Sequence, residues 1–403
     1  MEKIIVIGAG IIGSAVAMGL GKLGADVTVV DVDLEGRFSS SELNAGGVRA
    51  TFNQPINISA SKVSIDYFVS IAHEIGFREC GYLWLCTEEQ RKVRERSLPL
   101  WEKHGWPVEV WSPAQITAHY PLLDQLEGVS CGLFGHRDGI LNTNLLKMHY
   151  RNQAKNSGVR FLDRYLLRSS ERGSGAQKFC LSFQHFSETL TDDHLLDTLS
   201  SKSHPSASHL GKSVDLHADI VVNCAGAWAG EVARILGYET KCTPIRRQIS
   251  LFDSRAGSFS DYGMIVDTSG VYFHPESTFF LSGICERDEP NGVNFNYGGE
   301  DFFQEKIWMP LSERSSGFQE LRHISGWAGL YETSPDDSGI IGSSAPGVFE
   351  AHSFSGHGVM HSYTVGLALA EKILNGRYES FDFSELAGER FQTGKLVSET
   401  AVI

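Results

Sequence analysis

The sequence predicts an α/β chain in two parts, one built on a parallel strand–helix–strand unit and the other on a largely antiparallel β-sheet. Three observations carry this. The first thirty residues read strand, glycine turn, helix, strand: IIVIG from Ile4, then AGIIG opening a helix that runs to Leu23, then DVTVVD ending at Asp31; this is one βαβ unit. A second strand-to-helix junction, ADIVVN before AGAWAG, has the continuous apolar character of a buried parallel strand. From Ile245 to about Leu330 the chain instead alternates in short runs, RRQISLF, GVYFHP, TFFLSG and HISGWAGLY, with one helical break near Glu300 to Trp308. That spacing predicts antiparallel pairing.

Between these landmarks the elements follow in order. After a polar loop, Ile65, Phe68, Val69, Ala72 and Ile75 recur at helical spacing, and Gly76 closes that helix. GYLWLC then reads as a strand. Thr87 with Gln90, and Ser112 with Gln115, each match a capping box, the second with Pro113 at the first helical position. A further helix is expected from about Thr143 to Asn156, with strands at VRFL and KFCLSF. Residues 187–212 are rich in Ser, Thr, Asp and His and lack a sustained apolar period, so they read as a flexible surface insertion. Its histidines, His194, His204 and His209, are irregularly spaced, which favours a solvated loop over a metal site. Near the C-terminal end, Met360, Thr364, Leu367 and Leu374 mark a helix that stops at Gly376.

Composition narrows the function classes. With 403 residues, 41% hydrophobic and 21% charged, the chain is globular and long enough for roughly two domains. Lys plus Arg is 35 against 49 for Asp plus Glu, a net charge of -14. That sign repels phosphate backbones and excludes a nucleic-acid partner. Seven cysteines, odd in number and without a CxxC pair, fit neither a disulfide framework nor a zinc ribbon and point to the reducing cytoplasm. No metal centre is expected. The apolar stretch Ile4 to Leu20 is interrupted by four glycines and Ser14, so it reads as folded core and no membrane span is expected.

Gly8, Gly10 and Gly13 form GxGxxG between the first strand and helix, and Asp31 ends the second strand where a ribose hydroxyl partner belongs. Glycine lets backbone approach a pyrophosphate, whose charge then meets the free N–H groups and positive end of the helix starting near Ile11. Dinucleotide binding is the reading this places on the turn. The next segment, Ser39 to Arg49, is a loop of small residues where a nicotinamide domain would ordinarily continue with helix and strand; a nicotinamide dehydrogenase is therefore a poor alternative.

Five motifs in order, GAGIIGSAVA, SSSELNAGGVR, VVNCAGAWAG, WAGLYETSPDDSGIIG and FSGHGVMHS, resemble the FAD-dependent oxidoreductases of the D-amino acid oxidase superfamily, in particular its sarcosine oxidase beta-type and glycine oxidase-like members. The resemblance spans nearly the whole chain. It implies a Rossmann-like FAD-binding domain assembled from residues 1–78, 135–240 and 325–403, and a substrate domain with a largely antiparallel sheet from 79–134 and 241–324. It places Gly8, Gly10, Ile11, Ile12 and Gly13 on the pyrophosphate and Asp31 on the adenosine ribose. Ser40 and Asn44, Ala45, Gly46, Gly47 and Val48 would run beside the flavin, and Ala225, Gly226 and Trp228 would line the adenosine side. Gly356, His357, Gly358, Val359 and Met360 would bring a helix N-terminus to the flavin N1/O2 edge, where negative charge is stabilised by the dipole.

The chain departs from the family at three places. Tyr331 stands where many glycine-oxidase-like members carry a carboxylate-binding Arg; Met360 replaces a Lys of the monomeric sarcosine oxidases; Leu281 stands at the nearest match to their oxygen-activating Lys. Arg49 remains a candidate cation at the flavin face, with Arg246 and Arg247 behind it or tied into surface salt bridges. Tyr272, His274, Tyr331 and His357 are candidate pocket residues, of which Tyr272, Tyr331 and His357 are carried with Arg49 as candidate catalytic residues. No cysteine follows Cys285 and no histidine lies between Asp31 and Ala72, so the covalent flavin links of relatives are not expected and FAD is expected to be held without one. The implied activity is oxidation of the C–N bond of a small amino acid or N-methyl amino acid to an imine, with a carrier protein or O2 as electron acceptor. The rival is an FAD-binding assembly or partner flavoprotein with little activity of its own.

Overall fold

The computed structural model describes residues 2–173, 178–200, 211–254, 259–286 and 288–402. Its first strand, Lys3–Ile7, is buried over four of five residues and lies at the centre of a six-stranded sheet in the order Ile340–Ala345, Val348–His352, Ile220–Asn223, Lys3–Ile7, Asp26–Val30, Arg160–Leu162. All neighbours are parallel except the Ile340–Ala345 hairpin strand. Helices cover one face of the central strands, and a three-stranded antiparallel sheet, Tyr165–Arg172, Phe179–His185 and Lys212–Ala218, covers the other together with the helix Ala229–Leu236, which is why these segments are apolar without alternation.

The helix Ile11–Lys22 buries eleven of its twelve residues, because it is packed between the helices Thr143–Asn156 and Gly358–Asn375. Small residues permit that depth. A Cβ on Gly19 would stand 2.2 Å from the Gly366 carbonyl oxygen, and one on Gly366 would stand 2.5 Å from that of Ala15.

An eight-stranded sheet forms the second layer, in the order Leu321–Thr333, Thr243–Ser254, Phe279–Ile284, Val271–Glu276, Met264–Val266, Tyr82–Cys86, Cys131–Gly135, Glu109–Trp111. Every pairing is antiparallel except Met264–Val266 with Tyr82–Cys86. One face packs Tyr82, Trp84, Met264, Tyr272 and Leu281 toward the main core. The other face closes a separate aromatic core around Phe252, Phe273, Phe280, Phe303 and Phe318. The strand Leu321–Thr333 continues across position 325, paired with Thr243–Ser254 on both sides of a bulge at Ile324.

Both capping boxes form. Three expectations change. The helix ending near Gly76 begins earlier, at Pro55, and breaks at Ile71 into Pro55–Ser70 and Ala72–Ile75. Its early turns bury Asn57, Ser61 and Ser64, polar residues that disguise the period. Secondly, the insertion is not a plain loop: Asp192–Ser200 is a helix with two aspartates in its first turn and Leu195 buried, docked where Arg37 reaches Asp192 Oδ1 (2.6 Å) and the Leu190 carbonyl (3.0 Å). His204 and His209 lie outside the described residues. Thirdly, a strand the sequence did not mark, Glu109–Trp111, forms the edge of the large sheet. No helix among the described residues is long and apolar enough to cross a membrane.

Candidate functional site

The C-terminal ends of the parallel strands open into a cavity of about 320 Å3 that extends to the face of the eight-stranded sheet. One end is the glycine turn. Gly8 has φ +99, and a Cβ there would stand 2.3 Å from the Cys224 carbonyl oxygen; a Cβ on Gly13 would stand 1.9 Å from the Gly8 carbonyl oxygen. Those two glycines therefore close the turn against its neighbours. Gly10 differs. Its φ of -61 suits any residue, it lines the cavity, and a Cβ would meet nothing but Ser41 Oγ, at 3.3 Å.

The same turn holds Asp31, whose carboxylate accepts from Ala9 N (2.6 Å) and Asp33 N (3.1 Å). Burial raises its pKa, and these two N–H groups and Arg151 act against that rise. Each oxygen keeps acceptor capacity for a hydroxyl. Ile11 N, the first free donor of the helix, meets Ser41 Oγ at 2.9 Å, so Ser41 sits at the helix N-terminus. Ser40 lines the cavity but gives its proton to the Leu330 carbonyl at 2.6 Å. Asn44 folds its own loop, accepting from Gly46 N (2.6 Å) and Thr143 Oγ1 (2.9 Å). His274, 1% exposed, ties that loop to the large sheet through the Ala45 carbonyl at 2.9 Å.

At the other end Arg49, Tyr82, Met264, Tyr272 and Tyr331 face the turn before the helix Gly358–Asn375. Gly356 has φ +90, and a Cβ there would stand 2.3 Å from the Tyr331 ring, so the ring lies flush on the turn. His357 at the helix start has no side-chain cap bond. Both its ring nitrogens are buried without a hydrogen-bond partner among the described residues, and burial, His361 and Arg49 push its pKa well below the usual histidine range. It is a neutral imidazole. Tyr331 is pushed up to about 12 by burial and Tyr272 is raised for the same reason, so both keep their hydroxyl protons near neutral pH. Arg49 is 4% exposed and lies 4.2 Å from the Phe52 ring centroid and 5.2 Å from that of Trp84.

Of the residues singled out in the sequence, Gly8, Gly10, Ile11, Ile12, Asp31, Ser40, Asn44, Ala45, Gly46, Gly47, Arg49, Ala225, Gly226, Trp228, Tyr272, Tyr331, Gly356, His357, Gly358, Val359 and Met360 all line this one cavity. Val48 does not: in the strand Gly47–Val48 it points the opposite way from its neighbours and is fully buried in the core. Gly13 likewise stands behind the turn. Leu281 shares the sheet face of Tyr272 and pairs across from His274, outside the cavity wall. Arg246 is held by Glu289 at 2.8 Å and 3.0 Å, and Arg247 lies 5.2 Å from the Tyr331 ring centroid.

Several wall residues carried no signal in the sequence. Arg151 braces the glycine turn, donating to the carbonyls of Ala9 and Leu34 and to Ser14 Oγ. Lys147, one helical turn before it, is 2% exposed and donates to Glu42 and to the Glu35 carbonyl. Helical spacing alone cannot separate these from surface cations. Tyr82 sits in a strand buried at every position, so no alternation marks its inward face. Thr198 and Leu199 of the insertion helix also line the cavity, held by Trp228 Nε1 donating to the Leu199 carbonyl at 2.8 Å.

Glu332, beside Tyr331, is a buried carboxyl on the wall, with Ser40 Oγ 3.4 Å away. Burial pushes its pKa up to about 7. A carboxyl whose folded pKa exceeds its unfolded value is favoured folded when protonated, so this contribution is present below about pH 4.5 and is lost as pH rises toward 7. Glu332→Gln should flatten that slope by about 1 to 3 kcal/mol between pH 5 and 8, read as the change in melting behaviour of the cofactor-free protein. An unchanged slope would show that Glu332 is ionised throughout.

The chain belongs to the FAD dependent oxidoreductase family, DAO, whose model matches residues 3–372. It is 27% identical to FAD-dependent oxidoreductase domain-containing protein 1 of Bos taurus, over 100% of this chain and 87% of the relative. It is 24% identical to a glycine oxidase of Pseudomonas aeruginosa, over 92% of each chain. Among solved structures it is similar to L-proline dehydrogenase from P. horikoshii, with a TM-score of 0.82 at 22% identity over 98% of this chain and 99% of that one.

The protein is therefore an FAD-dependent oxidoreductase, and the cavity fits that cofactor on two observations. Gly10 leaves open a space beside a helix N-terminus that a side chain would fill, and a second helix starts at Gly358 against the same cavity, with Gly356, Gly358 and Val359 on its wall. Cys224 is the cysteine on the described wall, and burial pushes its thiol up, which removes the reactive thiolate a covalent link would need. Acid precipitation should accordingly release all yellow colour into the supernatant. Colour retained in the pellet would mean a covalent bond.

Proposed function

We propose that this FAD dependent oxidoreductase oxidises the C–N bond of a small amino acid or N-methyl amino acid to an imine, which water then hydrolyses. The observation that carries the reading is the cation Arg49 beside three tyrosines, Tyr82, Tyr272 and Tyr331, at the end of the cavity where a helix starts at Gly358. A guanidinium suits a carboxylate, and aromatic faces pack against the alkyl groups of a small neutral amine. The names of the glycine oxidase and L-proline dehydrogenase relatives agree with a substrate of that size.

When bound, FAD supplies the two-electron acceptor for hydride leaving the carbon beside nitrogen. The chain supplies position and field. Arg49 would hold the carboxylate and the tyrosines would flank the amine, excluding water from the carbon that reacts. Tyr272 and Tyr331 remain protonated and His357 is a weak base, so none of these three takes the amine proton. The amine must arrive unprotonated, and kcat/KM should rise with pH toward the amine's own pKa.

The electron acceptor would be a carrier protein or O2, and the setting the cytoplasm. In this reading the FAD-binding part comprises 1–78, 135–240 and 325–403, and the substrate part 79–134 and 241–324, with Leu321–Thr333 running from one into the other. The test is turnover of sarcosine, dimethylglycine, glycine, proline and D-amino acids with an artificial electron acceptor, scored by release of aldehyde, keto acid or ammonia. Turnover of one of these supports the reading. A fully FAD-loaded protein that turns over none of them would instead be a partner flavoprotein.

A further inference from the structure

Residues 397–402 form a strap that runs from the turn at Asp336 to the Arg49 end of the cavity. Val397 N donates to Asp336 Oδ2 (2.9 Å), the Val397 carbonyl accepts from Ser338 Oγ (2.6 Å), and Glu399 N donates to the Asp336 carbonyl (2.8 Å). Asp336 is itself fixed by Arg390, at 2.8 Å and 2.9 Å. The Glu399 carboxylate is 2% exposed and gathers donors from three directions: Asn53 N at 3.0 Å and 3.1 Å, Gln54 N at 3.2 Å, Asn57 Nδ2 at 3.1 Å and Ala401 N at 2.9 Å. Two residues on, the Ala401 carbonyl accepts from Arg49 Nη2, and Val402 lines the cavity.

The consequence for Arg49 is electrostatic. Its hydrogen bonds go to two neutral carbonyls, Thr51 at 3.0 Å and Ala401, while Glu399 and Asp138 act on it through space without a hydrogen bond. Carbonyls orient a guanidinium without cancelling its charge in contact, so an anion entering the cavity still meets a cation. The loss of a single carboxylate, Glu399, would release Ala401 and with it that orientation.

We propose that Glu399 is a positioning residue: it locks the strap so that the Ala401 carbonyl aims Arg49 at the substrate carboxylate, while Val402 closes that end of the cavity. This rests on the amino-acid reading above, so the test uses a probe that needs no turnover. The FAD-loaded protein is titrated with acetate and with neutral acetamide, followed by the shift in flavin absorbance. Glu399→Ala should weaken acetate about tenfold, the scale of one charged hydrogen bond, and leave acetamide unchanged. A variant lacking residues 401–403 removes the Arg49 acceptor and the Ala401 donor to Glu399 but keeps the Glu399 contacts with Asn53, Gln54 and Asn57, and should do the same if Glu399→Ala fails to fold. For a substrate found in the amine panel, either change should raise KM far more than it lowers kcat. The proposal is overturned if the parent shows no acetate shift, if acetate affinity survives both changes, or if acetate and acetamide weaken together. An acetate effect without turnover of any amine would leave the strap standing and remove the substrate reading.

Discussion

Gly10→Val should purify as a folded, colourless protein, whereas Gly13→Val should not accumulate folded. Both lie in the same GxGxxG turn, and sequence treats them alike. The structure separates them. Gly10 has backbone angles open to any residue, and a Cβ there would meet only Ser41 Oγ on the wall of the cavity. The fold tolerates that, but a pyrophosphate approaching the N-terminus of Ile11–Lys22 would be displaced, and FAD content should fall below about a tenth of the parent's. At Gly13 the Cβ would stand 1.9 Å from the Gly8 carbonyl oxygen and 3.2 Å from Cys224 Cβ, inside a helix with no free side, where overpacking costs several kcal/mol. Circular dichroism with flavin absorbance decides it. Full FAD occupancy in Gly10→Val would overturn the placement of the cofactor.

Arg49→Met should lower kcat/KM roughly 10- to 100-fold, the range of one lost charged hydrogen bond to a carboxylate. Methionine keeps apolar bulk between Phe52 and Trp84 and removes the charge. The loss should fall mainly on KM and be much smaller for a substrate amide, because only the carboxylate meets the missing cation. Some stability should go too, since the Thr51 and Ala401 carbonyls lose their donor. Equal losses for acid and amide would place Arg49 outside the substrate contact.

The sequence made the βαβ turn legible because its strand, helix and Asp31 are contiguous in the chain, and local pattern reports local structure. It made the far wall legible only in part. Tyr272, Tyr331 and the SGHG turn converge there from segments far apart in the chain; family motifs mark Tyr331 and the SGHG turn, while Tyr272 lies outside those motifs in an apolar sheet run. Tyr82, Met264, Glu332 and Val402 stayed hidden, because nothing next to them in sequence distinguishes an inward position in an all-buried strand or a C-terminal strap. The insertion helix was missed for a related reason: Asp192–Ser200 carries one buried apolar residue, Leu195, too little for a period, and is held by Arg37 and Trp228 from elsewhere. Val48 was misplaced by a single residue of strand alternation.

The central claim is that this cavity joins FAD to a carboxylate-bearing amine. Its most direct test is anaerobic mixing of the FAD-loaded protein with each member of the amine panel, watching the flavin absorbance. Complete bleaching is expected with at least one small amino acid or N-methyl amino acid, with one imine-derived carbonyl product formed per FAD and with bleaching much impaired in Arg49→Met. An oxidised spectrum that persists under every amine, in protein shown to carry a full complement of FAD, would contradict that claim.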